Sequence, residues 1–138
     1  KGQILKEGSK DGNNAGGNVA IIAVGSMVEE TYKAIDMLEK ENVHPAFVNP
    51  VFIKPMDTEL IKRVAENHKH IIVVEEGIKK GGFGESVETF ILESGIDADV
   101  QVMAIDDRFV EQGNVALLRE EIGISYKNIY EKVMELTR

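Results

Sequence analysis

The stretch Val73-Val74-Glu75-Glu76-Gly77, followed closely by Gly81-Gly82-Phe83-Gly84-Glu85-Ser86, reads as a short apolar strand that ends in two carboxylates and leads through glycines into a helix. Glycines at such a turn let the backbone approach a neighbour closely, and they leave free N–H groups at the helix start, where anions are favoured. The pattern differs from the known nucleotide motifs, because it has no Gly-Lys-Ser/Thr ending and Val87 stands where a dinucleotide fingerprint has its third glycine. We therefore favour tight helix packing over anion binding as the reason for these glycines.

Strands and helices alternate on both sides of this stretch, which predicts parallel βαβ units and a sheet covered on both faces. The apolar runs predict buried strands at 19–24, 46–48, 71–74 and 100–105. Capping residues and helical spacing predict helices at about 26–40, 57–67, 84–94 and 114–123, and a last helix that begins at Ser125. A short strand at Ile4-Leu5 and a Gly/Asn loop at 11–17 precede them, so residues 1–17 are expected to form a leading strand and a flexible tether or hairpin turn.

The size and composition are those of one domain with a single core, since the chain has 138 residues and is 43% hydrophobic. The net charge of −8 argues against nucleic acid or an anionic membrane as partner, because both need clustered Lys and Arg. No apolar run approaches the ~20 residues of a membrane span. The sequence has no cysteine, which suits a cytoplasmic protein. It opens on Lys1, without an initiating Met or an apolar leader, and we therefore expect a piece of a longer protein.

The side chains that could carry chemistry are few. Three histidines, at positions 44, 68 and 70, do not have the spacing that would gather metal ligands on one helical face. Ser26 follows a strand but lacks the glycine two residues later that a nucleophile elbow requires, so we interpret it as a helix cap. The sequence by itself therefore predicts no catalytic, cofactor-binding or metal-binding residue.

Glu75 and Glu76 lie at the carboxyl end of a predicted parallel strand, the edge where such sheets usually bind ligands. Adjacent strand residues point to opposite faces, so at most one of the two carboxylates is expected to face a given cleft. We interpret them as a solvated pair whose charge is balanced by Lys79 and Lys80. Asp106, Asp107 and Arg108 follow the next strand at the same edge and are interpreted as a charged loop.

Three segments together resemble the C-terminal domain of the transketolase-like thiamine-diphosphate enzymes. They are Phe52-Ile53-Lys54-Pro55-Met56-Asp57, the strand and glycine turn quoted above, and Asp107-Arg108-Phe109-Val110-Glu111-Gln112-Gly113. The last segment is most similar to the 1-deoxy-D-xylulose-5-phosphate synthase branch of that family. The resemblance implies a three-layer α/β/α fold with a mostly parallel, mixed sheet of about five strands.

The resemblance also implies how such a domain contributes to its enzyme. Whole enzymes of the synthase branch bind thiamine diphosphate and Mg²⁺ in their first two domains, and they condense pyruvate with glyceraldehyde 3-phosphate, with loss of CO2, in isoprenoid and thiamine biosynthesis. The present domain would bind no cofactor alone and would be inactive in isolation. Its partners would be the N-terminal and central domains of the same enzyme, in a cytoplasmic homodimer. The residues expected at an interface or an anion site are Glu75, Glu76, Gly81, Gly82, Gly84, Asp107 and Arg108.

Two alternatives stay open at this point. One is another member of the superfamily, either a transketolase whose C-terminal part could be a separate subunit or the β-chain of a 2-oxoacid dehydrogenase. The other is a small regulatory module that binds an anionic metabolite at the turn of residues 81–86, with Lys79 or Lys80 assisting.

Overall fold

The structure, a computed structural model, describes residues 3–6, 17–25, 27–49, 57–76, 82–105 and 126–137. In this part of the chain, five strands and four helices follow one another. The strands are β1 (Gln3–Lys6), β2 (Val19–Ala23), β3 (Ala46–Asn49), β4 (His70–Glu76) and β5 (Asp99–Ile105). The helices are α1 (Met27–Lys40), α2 (Thr58–Asn67), α3 (Phe83–Glu93) and α4 (Tyr126–Thr137).

One mixed sheet contains all five strands in the order β1-β3-β2-β4-β5. The pairs β2–β3, β2–β4 and β4–β5 are parallel, whereas β1 runs antiparallel to β3 at one edge. The predicted class, a mostly parallel mixed sheet of about five strands, is therefore confirmed. A parallel β2–β4 pair at the centre explains why these strands are continuously apolar, because both of their faces are covered by helices.

Two apolar clusters cover the two faces of the sheet. Val19, Ile21 and Ala23 of β2 point towards α1 and α4, while Ala20 and Ile22 point towards α2 and α3. The alternation continues in β4, where Ile72 and Val74 belong to the first cluster and Ile71 and Val73 to the second. The result is a three-layer α/β/α arrangement with α1 and α4 on one side and α2 and α3 on the other.

The helix ends follow the predicted capping residues where these are described. Asp57 caps α2, and its Oδ1 accepts a hydrogen bond from the Leu60 N–H at 3.2 Å. Gly95 follows α3 with φ +73°, the left-handed conformation that favours glycine. Of the apolar stripe predicted for the last helix, Ile129 and Val133 are fully buried and Leu136 packs at the margin of the same cluster.

Strand β4 is longer than predicted. Its ladder to β5 continues through Glu75, opposite Ala104, and Glu76, opposite Ile105. Both glutamates are thus part of the sheet, and the position of Glu75 in the strand sets the face of the sheet on which its side chain lies.

The predicted helix at 114–123, the loop at 11–17 and the Ser26 and Ser125 caps fall wholly or largely outside the described residues. None of the described helices qualifies as a membrane span.

Candidate functional site at the start of helix α3

The candidate site joins the carboxyl end of β4 to the first turn of α3. Glu75 is only 3% exposed, and its carboxyl group accepts two backbone hydrogen bonds. The Phe83 N–H donates to Oε2 at 2.9 Å and the Gly84 N–H donates to Oε1 at 2.6 Å. A carboxylate in this position is favoured because the first N–H groups of a helix have no partner within the helix and carry partial positive charge.

The interpretation of Glu75 as a solvated charge was therefore wrong. Side chains alternate along a strand, so Glu75 shares the face of Ile71 and Val73, which α3 covers. The polar partners of its carboxyl group are the helix N–H groups of Phe83 and Gly84. Lys79 and Lys80, expected to balance its charge, lie outside the described residues.

Gly84 is required here for close packing. A Cβ atom at this position would lie 2.5 Å from Cγ1 of Val102 and 2.7 Å from Oε1 of Glu75. Both distances are below the shortest separation that real Cβ atoms show, and the Val102 side chain is too short and too branched to swing away. The prediction that glycine serves tight helix packing is confirmed at this residue.

Burial and hydrogen bonding act on Glu75 in opposite directions. Removal from water raises the pKa of the Glu75 carboxyl above its ordinary value of 4.5, and the N–H groups of Gly84 and Phe83 partly offset this by stabilising the ionised form. Both oxygens are engaged, so Glu75 is suited to fixing α3 on the sheet rather than to exchanging protons with a substrate.

The remaining predicted site residues are placed only in part. Gly82 is the N-cap of α3 in an extended conformation, and its carbonyl accepts a hydrogen bond from the Ser86 N–H at 3.2 Å. Glu76 is the last residue of β4. Gly81, Asp107 and Arg108 lie outside the described residues. The structure therefore brings together Glu75, Gly82 and Gly84 around one helix start.

This geometry bears on the predicted anion site. An external anion at the start of α3 would have to use N–H groups of the first turn, and those of Phe83 and Gly84 already bind the Glu75 carboxyl. The anion at this helix start is therefore the Glu75 carboxyl group of the chain itself, nine residues before Gly84, whose N–H binds it. Strand alternation was the signal that could have revealed this.

The histidines are dispersed in the structure. His44 pairs with Asn42 at 3.1 Å, His68 Nδ1 lies 2.8 Å from the Val64 carbonyl, and His70 lies 3.3 Å from Asp99 across β4 and β5. A hydrogen bond from Gln101, followed by the contact with His70, lowers the pKa of the Asp99 carboxyl. Within the described ranges, no three His, Asp or Glu side chains are grouped in a way that could hold a metal ion.

A second internal cap was missed at the sequence level. Glu30 of α1 is 7% exposed, and its Oε1 accepts a hydrogen bond from the Tyr126 N–H at the start of α4, at 3.2 Å. Its Oε2 lies 3.3 Å from Nζ of Lys33, which also lies over the Tyr126 ring. Helical spacing could have indicated that Glu30 is buried, because it stands three residues after Met27 and four before Ala34 on the buried face of α1, but it could not indicate the contact with Tyr126.

Comparisons with known proteins place this arrangement in a family. Residues 10–129 match the model "Transketolase, C-terminal domain". The 1-deoxy-D-xylulose-5-phosphate synthase of Dehalococcoides mccartyi is 40% identical over 124 residues, which are 88% of this chain and 19% of that protein. The synthase of Heliobacterium modesticaldum is 35% identical over 136 residues, 99% of this chain and 20% of that protein. The chain thus spans about a fifth of the length of these curated relatives.

A solved structure supports the same assignment. A split-gene transketolase, described as an inactive β4 tetramer, superposes with a TM-score of 0.81 and 27% identity, over 100% of this chain and 43% of that one. A 2-oxoglutarate:ferredoxin oxidoreductase from Magnetococcus marinus shares the fold, with a TM-score of 0.64 and 18% identity. By its matched residues, its relatives and its fold, the chain belongs to the transketolase C-terminal domain family.

Proposed function

We propose that this chain is the C-terminal domain of a 1-deoxy-D-xylulose-5-phosphate synthase and that its role is assembly of the enzyme rather than catalysis. The name rests on relatives that match most of this chain at 35–40% identity. Since the chain spans about a fifth of those proteins, the reaction would belong to the whole polypeptide. That reaction would join pyruvate to glyceraldehyde 3-phosphate and release CO2, in a cytoplasmic homodimer.

The observation that carries the assembly role is the use of Glu75. Glu75 is a buried acidic residue at the carboxyl edge of the sheet, the edge at which α/β proteins usually bind substrates, and both of its carboxyl oxygens accept hydrogen bonds from the start of α3. An acid held in this way stabilises a surface and is poorly placed to serve a substrate. The interface role of Glu76, Gly81, Gly82, Asp107 and Arg108 belongs to the same proposal.

Thiamine diphosphate and Mg²⁺ would be held by other parts of the enzyme. Mg²⁺ prefers carboxylate oxygens together with phosphate and water. Among the described residues, no three His, Asp or Glu side chains are grouped in the way that such a site requires.

The test uses the parent polypeptide with and without residues 1–138. CO2 release from pyruvate is measured with thiamine diphosphate and Mg²⁺, in the presence and absence of glyceraldehyde 3-phosphate, and the oligomeric state is measured by light scattering. We expect acceptor-dependent release that is lost, together with the dimer, on deletion. Full activity of the truncated dimer would reject the assembly role.

A second candidate is the C-terminal part of a separately encoded transketolase subunit. It is favoured by the TM-score of 0.81 to a split-gene transketolase over the whole chain. Xylulose and ribose phosphates distinguish the two candidates, because a transketolase would act on these sugars without releasing CO2 from pyruvate. An independent start codon just upstream of Lys1 would also favour a separate subunit.

A further inference from the structure

The outer face of helix α3 differs from the outer faces of the other described helices. This surface, the α3 face, is defined by Glu85, Ser86, Glu88, Thr89, Leu92 and Glu93. Leu92 is 79% exposed, far more than Tyr32, the other large apolar side chain exposed among the described residues. Thr89 lies three residues before Leu92, on the same side of the helix, beside a shallow groove whose wall includes Phe90.

The charge of the α3 face is unbalanced. Helix α3 has three glutamates and no Lys or Arg. Helices α2 and α4 each have two acidic and two basic residues, and α1 has two lysines in addition to its acidic residues. A single exposed leucine is common on soluble proteins, but here it lies within a patch of one sign of charge. Such a patch is complementary to a basic surface that also offers an apolar contact.

The α3 face is also held rigidly. Glu75 fixes the first turn of α3 to the end of β4, and the absence of a Cβ atom at Gly84 lets the same turn lie close to Val102 of β5. At the other end, the Ser94 N–H donates to the Phe90 carbonyl at 3.0 Å. A surface that is already ordered loses little conformational entropy when it docks.

We propose that the α3 face docks on another domain of the same polypeptide, whose contacting surface is basic and accommodates Leu92. This inference rests on the proposed function. The relatives are about five times as long as this chain, so a polypeptide of their length would have most of its residues in other domains. Covalent linkage places those domains at high effective concentration, which favours docking within the chain over docking on a second copy.

Thiol labelling of the parent polypeptide tests the docking. This chain has no cysteine, so Leu92→Cys and the control Lys62→Cys, on the exposed side of α2, each add one thiol to it. Maleimide labelling is followed at each site by peptide mass spectrometry, in the native protein and in urea. Since access limits thiol reaction, we expect native Leu92→Cys to react more than about tenfold slower than Lys62→Cys, with equal rates in urea.

Native rates within about tenfold of each other would overturn the proposal, because nearby carboxylates alone slow an exposed thiol only modestly through its pKa. Protection of Leu92→Cys that disappears on dilution would assign the α3 face to a second copy and would overturn it too. CO2 release by the unmodified parent reports separately on the proposed function. A protected Leu92→Cys in a parent without synthase activity would reject that function and keep the docking surface.

Discussion

Substitution of Gly84 by alanine tests the junction between α3 and the sheet most directly. The added Cβ would lie 2.5 Å from Cγ1 of Val102 and 2.7 Å from Oε1 of Glu75, whereas ordinary contact begins at 3.4 Å. Val102 cannot rotate out of the way without moving a β-branched side chain within its packed neighbours. The helix must therefore move away from β5, and the carboxyl of Glu75 must move with it or lose its hydrogen bonds.

The expected cost follows from these contacts. Overpacking of this kind costs about 1–3 kcal/mol. Weakening of the hydrogen bonds to a charged acceptor adds about 1.5–3 kcal/mol. Alanine offsets about 1 kcal/mol through its higher helix propensity. We expect the free energy of unfolding to fall by about 1.5–5 kcal/mol, the net of these three terms.

The assay is urea unfolding followed by circular dichroism, with Gly84→Ala measured both in the original chain and in a Val102→Ala background. Removal of both Cγ atoms of Val102 eliminates the closest contact, so the cost of Gly84→Ala should be smaller in that background. A neutral or stabilising Gly84→Ala would refute the reasoning. An unchanged cost in the Val102→Ala background would also refute it, since the clash with Val102 would then not be the cause.

Four further predictions concern the two internal caps and the last helix. Glu75→Gln should lower the free energy of unfolding by about 1.5–3 kcal/mol in the same urea assay, because the amide turns a donor towards a helix N–H. The control Glu88→Gln, at an exposed position, should change the free energy of unfolding by less than about 0.5 kcal/mol. Because the folded pKa of Glu75 is raised above 4.5, the stability contributed by its protonation is fully present below that pH and is lost as the pH rises through the folded pKa. The free energy of unfolding, measured across that pH range with Glu75→Gln as the reference protein, should show this loss. A stability difference between the original chain and Glu75→Gln that grows with pH would contradict the prediction. Glu30→Ala should cost about 1–2 kcal/mol by uncapping α4, so amide exchange should increase at the start of α4, and unchanged exchange there would count against the cap. Ile129→Ala, at a fully buried position, should cost about 2–5 kcal/mol in thermal or urea unfolding, and a cost below about 1 kcal/mol would argue against the packing of α4 on the sheet.

Glu75 shows where sequence reasoning reached its limit. Its position at the carboxyl end of a strand was predicted, but alternation along the strand, which places it on the face of Ile71 and Val73, was not used. Its role was misjudged, because two adjacent glutamates followed by two lysines also fit a solvated pair. A carboxylate can be buried only where other groups supply hydrogen bonds that replace those of water. For Glu75 these groups are the N–H groups of Phe83 and Gly84, eight and nine residues later in the chain.

Gly84 was predicted better than Glu75, and Glu30 was not predicted at all. Because glycine has no side chain, a glycine at a helix start already indicates that the backbone packs closely against a neighbouring part of the molecule. Glu30 binds a helix start 96 residues later in the chain, and no local pattern encodes such a distance.

The sequence by itself determined the alternation of strands and helices, the two-sided burial of β2 and β4, the α/β class and most element ends. These features follow from periodicity, capping and turn residues, which act over a few neighbouring positions. Only the tertiary structure decided which groups satisfy the starts of α3 and α4, what Gly84 contacts and which helix presents an unbalanced surface. Those properties depend on residues that folding brings together from distant parts of the chain, because distances of a few ångströms between them set how deeply each group is buried and which hydrogen bonds it makes.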